Sequence, residues 1–176
     1  MVLWITGISG AGKTTVADAI RDILKPSFPQ TVRLDGDEIR EVFGKSLGYR
    51  AEDRFIQIQR IQGLSLVLSR QKIITIVAAL YSHPSLLEWN RKNLVDYFEV
   101  HLDASLDLVK NRDSKGLYRH AEQMEIPNIV GVDIPRYDPI SPDLHINADS
   151  APLVGELANK IIAAVPWLDG RSEGKQ

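Results

Sequence analysis

Short apolar runs alternate along the chain with longer segments in which apolar residues recur every three or four positions. This alternation predicts an α/β domain with a mostly parallel sheet. Five apolar runs are predicted strands, at residues 2–6, 31–34, 73–80, 97–102 and 144–146. Four segments with helical spacing are predicted helices, at residues 14–25, 53–70, 106–112 and 152–165. The run at 73–80 is apolar almost throughout, which is typical of a parallel strand covered on both faces.

Residues 114–142 interrupt the alternation and contain four prolines. A long irregular segment in a compact domain is either a functional lid or a misassigned element. We interpret it as a lid at about 114–142, because it lies in a chain that also carries a phosphate-binding motif. The pattern predicts one domain over residues 1–168, followed by a polar tail at 169–176 that we expect to be mobile.

The phosphate-binding motif directly follows the first predicted strand. Residues 7–14 have the form G-x-x-x-x-G-K-[ST], in which small residues let backbone N–H groups surround a polyphosphate. In this motif Lys13 reaches the β- and γ-phosphates, the Thr14 hydroxyl holds Mg²⁺, and the next helix directs its positive end at the same anion. The alternative is a glycine-rich turn that only joins a strand to a helix. The predicted ATP-binding residues are Gly7, Ser9, Gly10, Ala11, Gly12, Lys13, Thr14, Thr15 and Arg112.

Two acidic residues, Asp35 and Asp37, close the second predicted strand. Ligands of parallel α/β sheets bind beyond the carboxyl ends of the strands, so these carboxylates should lie near the phosphate loop. One could serve Mg²⁺ and the other could accept a proton from an attacking hydroxyl. The alternative is a turn in which Asp37 is a helix N-cap.

Several basic and amide side chains follow these acids. Arg40 lies on the next helical turn, and Arg54 and Gln57 share a face of the long predicted helix. Such groups could clamp an anionic acceptor, although a solvated helix face is the simpler alternative. Arg112 and Lys115 open the irregular segment, where a closing lid could bring positive charge to a transferring phosphoryl group.

Composition narrows the possible functions. The 176 residues carry a net charge of −2, which gives no reason to expect binding to nucleic acid or to an acidic membrane. The absence of cysteine excludes disulfides, zinc thiolate sites and cysteine nucleophiles. The first apolar run is too short for a secretory signal or a membrane span, so we expect a cytoplasmic protein.

Five motifs, taken in order, resemble the adenylylsulfate (APS) kinase family. They are the phosphate loop at 7–15, L-D-G-D-E-I-R at 34–40, L-G-Y at 47–49, D-R at 53–54 and R-D-S-K-G-L-Y at 112–118. The resemblance implies a three-layer phosphate-loop kinase fold with a five-stranded sheet. It also implies transfer of the γ-phosphate of Mg-ATP to the 3′-hydroxyl of a small nucleotide acceptor, APS, by a protein that forms a homodimer.

The resemblance also implies roles for individual residues. Asp37 is the implied base for the acceptor hydroxyl and Asp35 the implied contact of the Mg²⁺ shell, although the two roles could be reversed. Lys13 is the implied catalytic lysine of the phosphate loop. The remaining implied contacts are the acceptor-binding arginines Arg40 and Arg54 and the lid residues Lys115 and Leu117.

Three positions depart from the family pattern on the acceptor side. Tyr49 replaces a phenylalanine, Gln57 replaces an asparagine, and Ile129 replaces the phenylalanine that clamps the acceptor base. Loss of an aromatic clamp removes about 1–3 kcal/mol of base stacking, which is enough to change base preference. The stretches 88–91 and 128–133 are similar to a divergent branch that we associate with capsule-type kinases of cytidine diphosphoramidate.

The sequence therefore leaves several functions open. The first is a nucleotide 3′-hydroxyl kinase acting on APS, and the second is the same chemistry on a cytidine diphosphate derivative. A phosphate-loop kinase for another small hydroxyl compound shares the fold class, and a non-catalytic nucleotide-binding domain is a further alternative. The intact set Lys13, Thr14, Asp35, Asp37 and Lys115 argues against the non-catalytic alternative.

Overall fold

A computed structural model describes residues 1–44, 46–113, 116–122 and 127–168 of the chain. Its strands are β1 (Val2–Thr6), β2 (Thr31–Asp35), β3 (Ile74–Ala79), β4 (Tyr97–Asp103) and β5 (Leu144–Asn147). Its helices are α1 (Lys13–Leu24), α2 (Gly36–Val42), α3 (Ala51–Arg70), α4 (Pro84–Asn93), α5 (Leu106–Arg112), α6 (Leu117–Glu122) and α7 (Val154–Ala164). The predicted tail at 169–176 lies outside the described residues.

The five strands form one sheet in the order β2-β3-β1-β4-β5, and every neighbouring pair is parallel. β1 is central, with Val2 beside Thr75 on one side and Tyr97 on the other. The predicted α/β class with a mostly parallel sheet is confirmed.

Helices cover both faces of the sheet because successive side chains of β1 point in opposite directions. Leu3 and Ile5 pack in one buried cluster with residues of α1 and α7. Val2 and Trp4 pack in a second cluster with residues of α3 and α4. The apolar alternation along β1 therefore produces the three layers.

The structure contains three helices that the hydrophobic spacing did not predict, namely α2, α4 and α6. Each has ten residues or fewer, so too few apolar positions recur for the helical period to be visible. The α6 helix lies in the segment 114–142, so that segment is not irregular throughout, and its role as a lid stays a prediction. The other element bounds agree with the predictions within two residues.

This topology places the site. The loop after β1, the start of α2 after β2 and the end of β3 all lie at the carboxyl edge of the sheet, where α/β proteins bind their ligands. Among the described residues, no helix is both long enough and apolar enough to cross a membrane.

Candidate active site

The loop between β1 and α1 is shaped by its glycines. Gly7 has φ 149°, and a Cβ atom at this position would lie 2.4 Å from the carbonyl oxygen of Leu102. Only glycine allows this close approach of the loop to β4. At the other end of the loop, Gly12 has φ 97° and forms the N-cap of α1.

Because its N-cap is a glycine, no cap side chain accepts a hydrogen bond from the first N–H groups of α1. These groups, together with the positive end of the helix dipole, form an anion-binding site. Lys13 begins the helix and donates from Nζ to the carbonyl oxygen of Ile8, at 2.8 Å. Its ammonium group therefore lies back over the loop.

The loop borders a cavity of about 510 Å³. The cavity is lined by Ser9, Gly10, Gly12, Lys13, Thr14, Thr15, Asp35, Gly36, Asp37, Ala78, Leu80, Val109, Arg112, Asp113 and Tyr118. The structure thus brings the predicted phosphate loop, the two predicted acids and Arg112 together around one space. Gly7 and Ala11 contribute to the backbone of the loop instead, and Ala11 is buried with its N–H 3.2 Å from the carbonyl oxygen of Ile8.

Asp35 is held by three groups. Its Oδ2 accepts a hydrogen bond from the Thr14 hydroxyl at 2.7 Å and lies 3.4 Å from Nη1 of Arg33. Its Oδ1 accepts from the backbone N–H of Asp37 at 2.9 Å, which makes Asp35 the N-cap of α2. The alternative interpretation of Asp37 as the N-cap is therefore wrong by two residues, because α2 begins immediately after β2.

Thr14 and Asp35 place a hydroxyl and a carboxylate side by side at the edge of the cavity. This donor set fits Mg²⁺, which proteins usually hold through one or two carboxylates together with substrate phosphates. Among the described residues, no group of three or more histidine, aspartate or glutamate side chains could hold a metal without such phosphates.

Two cavity residues with polar side chains, Tyr118 and Asp113, were not assigned from the sequence. The Tyr118 hydroxyl donates to the carbonyl oxygen of Ser9 at 3.0 Å, and burial raises the pKa of Tyr118 to about 12. The Asp113 carboxylate accepts from the backbone N–H groups of Tyr118 and Arg119, at 3.1 and 3.0 Å. Asp113 thus fixes the start of α6 and lets Tyr118 brace the phosphate loop.

Both of these residues belong to the R-D-S-K-G-L-Y motif, so the motif itself was the signal that could have identified them. Arg33, which was also missed, lies two positions before Asp35 on β2, where alternation places both side chains on the same face. Lys115, in contrast, lies outside the described residues. The helix α6 begins at Leu117, but the side chain of Leu117 is also outside the described part.

The predicted acceptor residues Arg40, Tyr49 and Arg54 form a separate cluster, which we call the acceptor cluster. The guanidinium groups of Arg40 and Arg54 lie 4.7 and 5.5 Å from the centre of the Tyr49 ring. Arg40 donates to the carbonyl oxygens of Leu47 and Gly48, at 3.2 and 2.5 Å. Arg54 donates to those of Tyr49 and Asn128, at 2.9 and 2.7 Å.

The acceptor cluster carries two adjacent positive charges. Burial lowers the pKa of Arg54, the charge of Arg40 lowers it further, and the nearby carboxylate of Asp37 acts in the opposite direction. In the described part of the chain, the hydrogen bonds of both guanidinium groups go to main-chain carbonyls rather than to carboxylates. An anionic ligand would relieve the repulsion between the two arginines.

Two other predicted acceptor residues are buried. Gln57 is 3% exposed and its Nε2 donates to the carbonyl oxygen of Gly36 at 3.0 Å. Ile129 is also 3% exposed and belongs to the buried cluster that contains Val109 and Tyr118. Gln57 therefore ties α3 to the start of α2, and Ile129 packs in the core rather than standing open like an aromatic clamp.

The parallel sheet, the glycine loop ahead of α1 and the acid-bearing start of α2 define a phosphate-loop kinase. The chain can be placed within this class more closely. The family described as "Adenylylsulphate kinase" matches residues 1–147.

Individual relatives agree with the family match. The chain is 37% identical over 145 residues to a probable adenylyl-sulfate kinase of Pseudomonas aeruginosa, covering 82% of this chain and 68% of the relative. It is 35% identical over 165 residues to a probable adenylyl-sulfate kinase of Synechocystis sp., and the match covers 92% of this chain and 93% of the relative. Among solved structures, the chain is similar to the Mycobacterium tuberculosis APS kinase CysC in complex with AMPPNP and APS. The two superpose with a TM-score of 0.82 at 30% identity, and the match covers 93% of this chain and 95% of the other. The chain belongs to the adenylylsulfate kinase family.

Proposed function

We propose that this protein transfers the γ-phosphate of ATP to the 3′-hydroxyl of adenylylsulfate and releases ADP. Membership of the adenylylsulfate kinase family supports the reaction, and the similar Mycobacterium tuberculosis enzyme was solved with both AMPPNP and APS. The observation that carries the proposal within this chain is the position of Asp37. Asp37 lines the phosphate cavity, and its charge also acts on Arg54, where it partly offsets the lowering of the pKa that burial causes.

On the donor side, the phosphate loop and the start of α1 would bind the triphosphate of ATP. Lys13 would leave the Ile8 carbonyl and contact the β- and γ-phosphates, where its charge offsets the charge that develops in transfer. Mg²⁺, held by the Thr14 hydroxyl and the Asp35 carboxylate, would neutralise phosphate charge when bound. Tyr118 keeps the loop in place through its hydrogen bond to Ser9.

On the acceptor side, Arg40 and Arg54 would bind the anionic phosphosulfate and Tyr49 would stack on the base. This docking would bring the ribose to Asp37, which would accept the proton of the 3′-hydroxyl. Most of the rate enhancement would come from positioning and charge neutralisation, as is usual in phosphoryl transfer. The Thr14 hydroxyl, the Asp37 N–H and Arg33 engage the Asp35 carboxylate, and its contact with Thr14 suits Asp35 to the metal side of the site.

The second candidate is the same transfer to a cytidine diphosphate derivative. The residue at position 129 favours this alternative, because Ile129 is neither aromatic nor exposed and cannot add a second ring to that of Tyr49. A single aromatic contact gives less stacking energy to distinguish adenine from cytosine.

An ADP-release assay with parallel acceptors tests the proposal. Adenylylsulfate, cytidine diphosphoramidate, shikimate and no acceptor would each be incubated with ATP, Mg²⁺ and enzyme. We expect fast ADP release with adenylylsulfate alone, and phosphate on the 3′-oxygen of the product by ³¹P NMR. Faster release with the cytidine compound would favour the second candidate. ATP binding without ADP release for any acceptor would show a non-catalytic nucleotide-binding domain.

The homodimer and the cytoplasmic location remain predictions. Size-exclusion chromatography with light scattering measures the mass directly and tests the dimer. A mass near twice that of the 19.7 kDa chain is expected, and a mass of one chain would contradict it.

A further inference from the structure

The turn formed by residues 128–134 is organised by one carboxylate. Oδ2 of Asp133 accepts a hydrogen bond from the Asn128 N–H at 2.5 Å, and Oδ1 accepts from the Ile129 N–H. The carbonyl oxygen of Ile129 in turn accepts from the N–H groups of Val132, Asp133 and Ile134, at 3.0, 3.1 and 3.0 Å. These bonds close the segment into a compact unit, which we call the 128–134 turn.

A hydrogen bond joins the 128–134 turn to the acceptor cluster. The carbonyl oxygen of Asn128 accepts a hydrogen bond from Nη2 of Arg54 at 2.7 Å, joining residues 74 positions apart in the sequence. Asn128 has φ 70°, a left-handed conformation that asparagine adopts more readily than most residues. The conformation turns this carbonyl group out of the 128–134 turn and toward α3.

Asp133 fixes the direction of that carbonyl group. The carbonyl of Asn128 and the N–H of Ile129 belong to the same planar trans peptide group, so they point in opposite directions. When Asp133 holds the N–H on one side, the carbonyl must face the other side, where Arg54 lies. The Asp133 charge polarises this peptide and is also near enough to Arg54 for the two charges to attract each other.

Arg54 is thereby held at two places. Nε donates to the Tyr49 carbonyl at 2.9 Å and Nη2 donates to the Asn128 carbonyl. A guanidinium group has five N–H donors in a rigid plane, so two fixed contacts set the direction of the remaining three. Without the Asn128 contact, the guanidinium plane could turn about its remaining hydrogen bond from Nε to the Tyr49 carbonyl. The other N–H donors would then lose their alignment.

We propose that Asp133 is a positioning residue for the acceptor, because it holds the Asn128 carbonyl that orients the guanidinium group of Arg54. This inference rests on the proposed function insofar as Arg54 binds the anionic group of the acceptor. Asp133 itself touches neither substrate in this account. Its effect should therefore appear in the binding of the acceptor and leave the donor half unchanged.

Steady-state kinetics with adenylylsulfate and ATP provide the first test. Asp133→Asn replaces one acceptor oxygen by a donor group, so at most one of the two N–H groups keeps its partner. We expect KM for adenylylsulfate to rise about tenfold, the scale of one pairwise contact energy, while kcat and KM for ATP change by less than about twofold. An unchanged KM for adenylylsulfate would overturn the proposal.

Asp143→Asn is the matched control. Asp143 also accepts a main-chain N–H, that of Glu99 at 2.7 Å, and also pairs with an arginine, Arg91 at 3.2 Å. It has no contact with the acceptor cluster within the described part of the chain, so its replacement should leave KM for adenylylsulfate within about twofold. If KM for adenylylsulfate rose equally in both variants, the loss of any such carboxylate contact would be enough to weaken acceptor binding. The proposal would then fail.

A double-mutant cycle and a structural readout complete the test. Once Arg54→Met has removed the guanidinium group, Asp133→Asn should add no further factor to KM, whereas independent effects would multiply. Arg54→Met should also speed amide hydrogen exchange in the 128–134 turn, and unchanged exchange would refute the contact. If the wild-type protein fails to phosphorylate adenylylsulfate, the proposed function fails, but the exchange measurement still decides whether Arg54 and the turn are coupled.

Discussion

The donor cavity and the acceptor cluster are built in different ways. The donor cavity rests on backbone groups: the glycine loop, the first turn of α1 and the cap of α2, with Tyr118 bracing the loop from α6. The acceptor cluster rests on side chains instead: two arginines held by loop carbonyls, and Tyr49 between them, which is 54% exposed. A backbone cradle recognises phosphate, which every ATP-using relative shares, whereas exposed side chains can change with the acceptor. Substitutions in the two regions should therefore have different kinetic signatures.

The largest expected effect lies where the two regions meet. Asp37→Asn removes the proposed base while keeping the shape of the side chain, so kcat should fall about 10²- to 10⁴-fold. KM for ATP and the unfolding temperature should change little, because Asp35 rather than Asp37 caps α2. Rapid-quench measurement of a single turnover checks whether the chemical step is the one slowed.

Asp35→Asn is the control for this prediction. Asparagine is as good an N-cap as aspartate, so the helix start should survive, but the charge beside Thr14 is lost. The Mg²⁺ concentration for half-maximal rate should therefore rise in Asp35→Asn and stay constant in Asp37→Asn. The reverse pattern would exchange the two proposed roles.

The next largest loss of activity is expected from a substitution in the donor cavity. Lys13→Ala should lower kcat about 10²- to 10³-fold, because one positioned charge is lost from the transferring phosphoryl group. KM for adenylylsulfate should stay near the wild-type value, since the acceptor cluster does not include Lys13. The measurement is a titration of each substrate at saturation of the other, and a selective rise in acceptor KM would contradict the separation of the two regions.

The same contrast explains how much the sequence could predict. The strands and the loop at 7–14 were predictable because a continuous apolar run and a glycine pattern are local signals. The juxtaposition of Thr14 with Asp35 followed from one topological rule about the ends of parallel strands.

The acceptor side was less predictable because it depends on packing between distant segments. Ile129 looked like a replaced aromatic clamp, but its burial follows from how the 128–134 turn packs against α5 and α6. Gln57 was predicted to contact the acceptor, but its side chain on α3 donates a hydrogen bond to the carbonyl of Gly36 at the start of α2. Neither packing arrangement has a local pattern in the sequence, and the roles predicted for these residues remain untested.

A moderate effect is expected within the acceptor cluster. Tyr49→Ala removes the ring over which both arginines lie, with a loss of about 1–3 kcal/mol of stacking on the base. KM for adenylylsulfate should rise about 5- to 150-fold with KM for ATP unchanged. Tyr49→Phe keeps the ring and should behave as the wild type in the same titrations. If the alanine variant also behaved as the wild type, base stacking on Tyr49 would be excluded.

The smallest functional effect is expected at Ile129, where the sequence and the structure point in opposite directions. An open position would accept phenylalanine and gain stacking on an adenine base. A position that is 3% exposed has no room for the larger ring, so Ile129→Phe should instead lower the free energy of unfolding by about 1–3 kcal/mol. KM for adenylylsulfate, measured below the unfolding temperature, should not fall.

Ile129→Val removes one methylene from the same site and serves as the control for core packing. It should lower the free energy of unfolding by about 0.5–1.5 kcal/mol. A phenylalanine variant of normal stability that binds adenylylsulfate more tightly would return Ile129 to the acceptor site and make the two regions continuous.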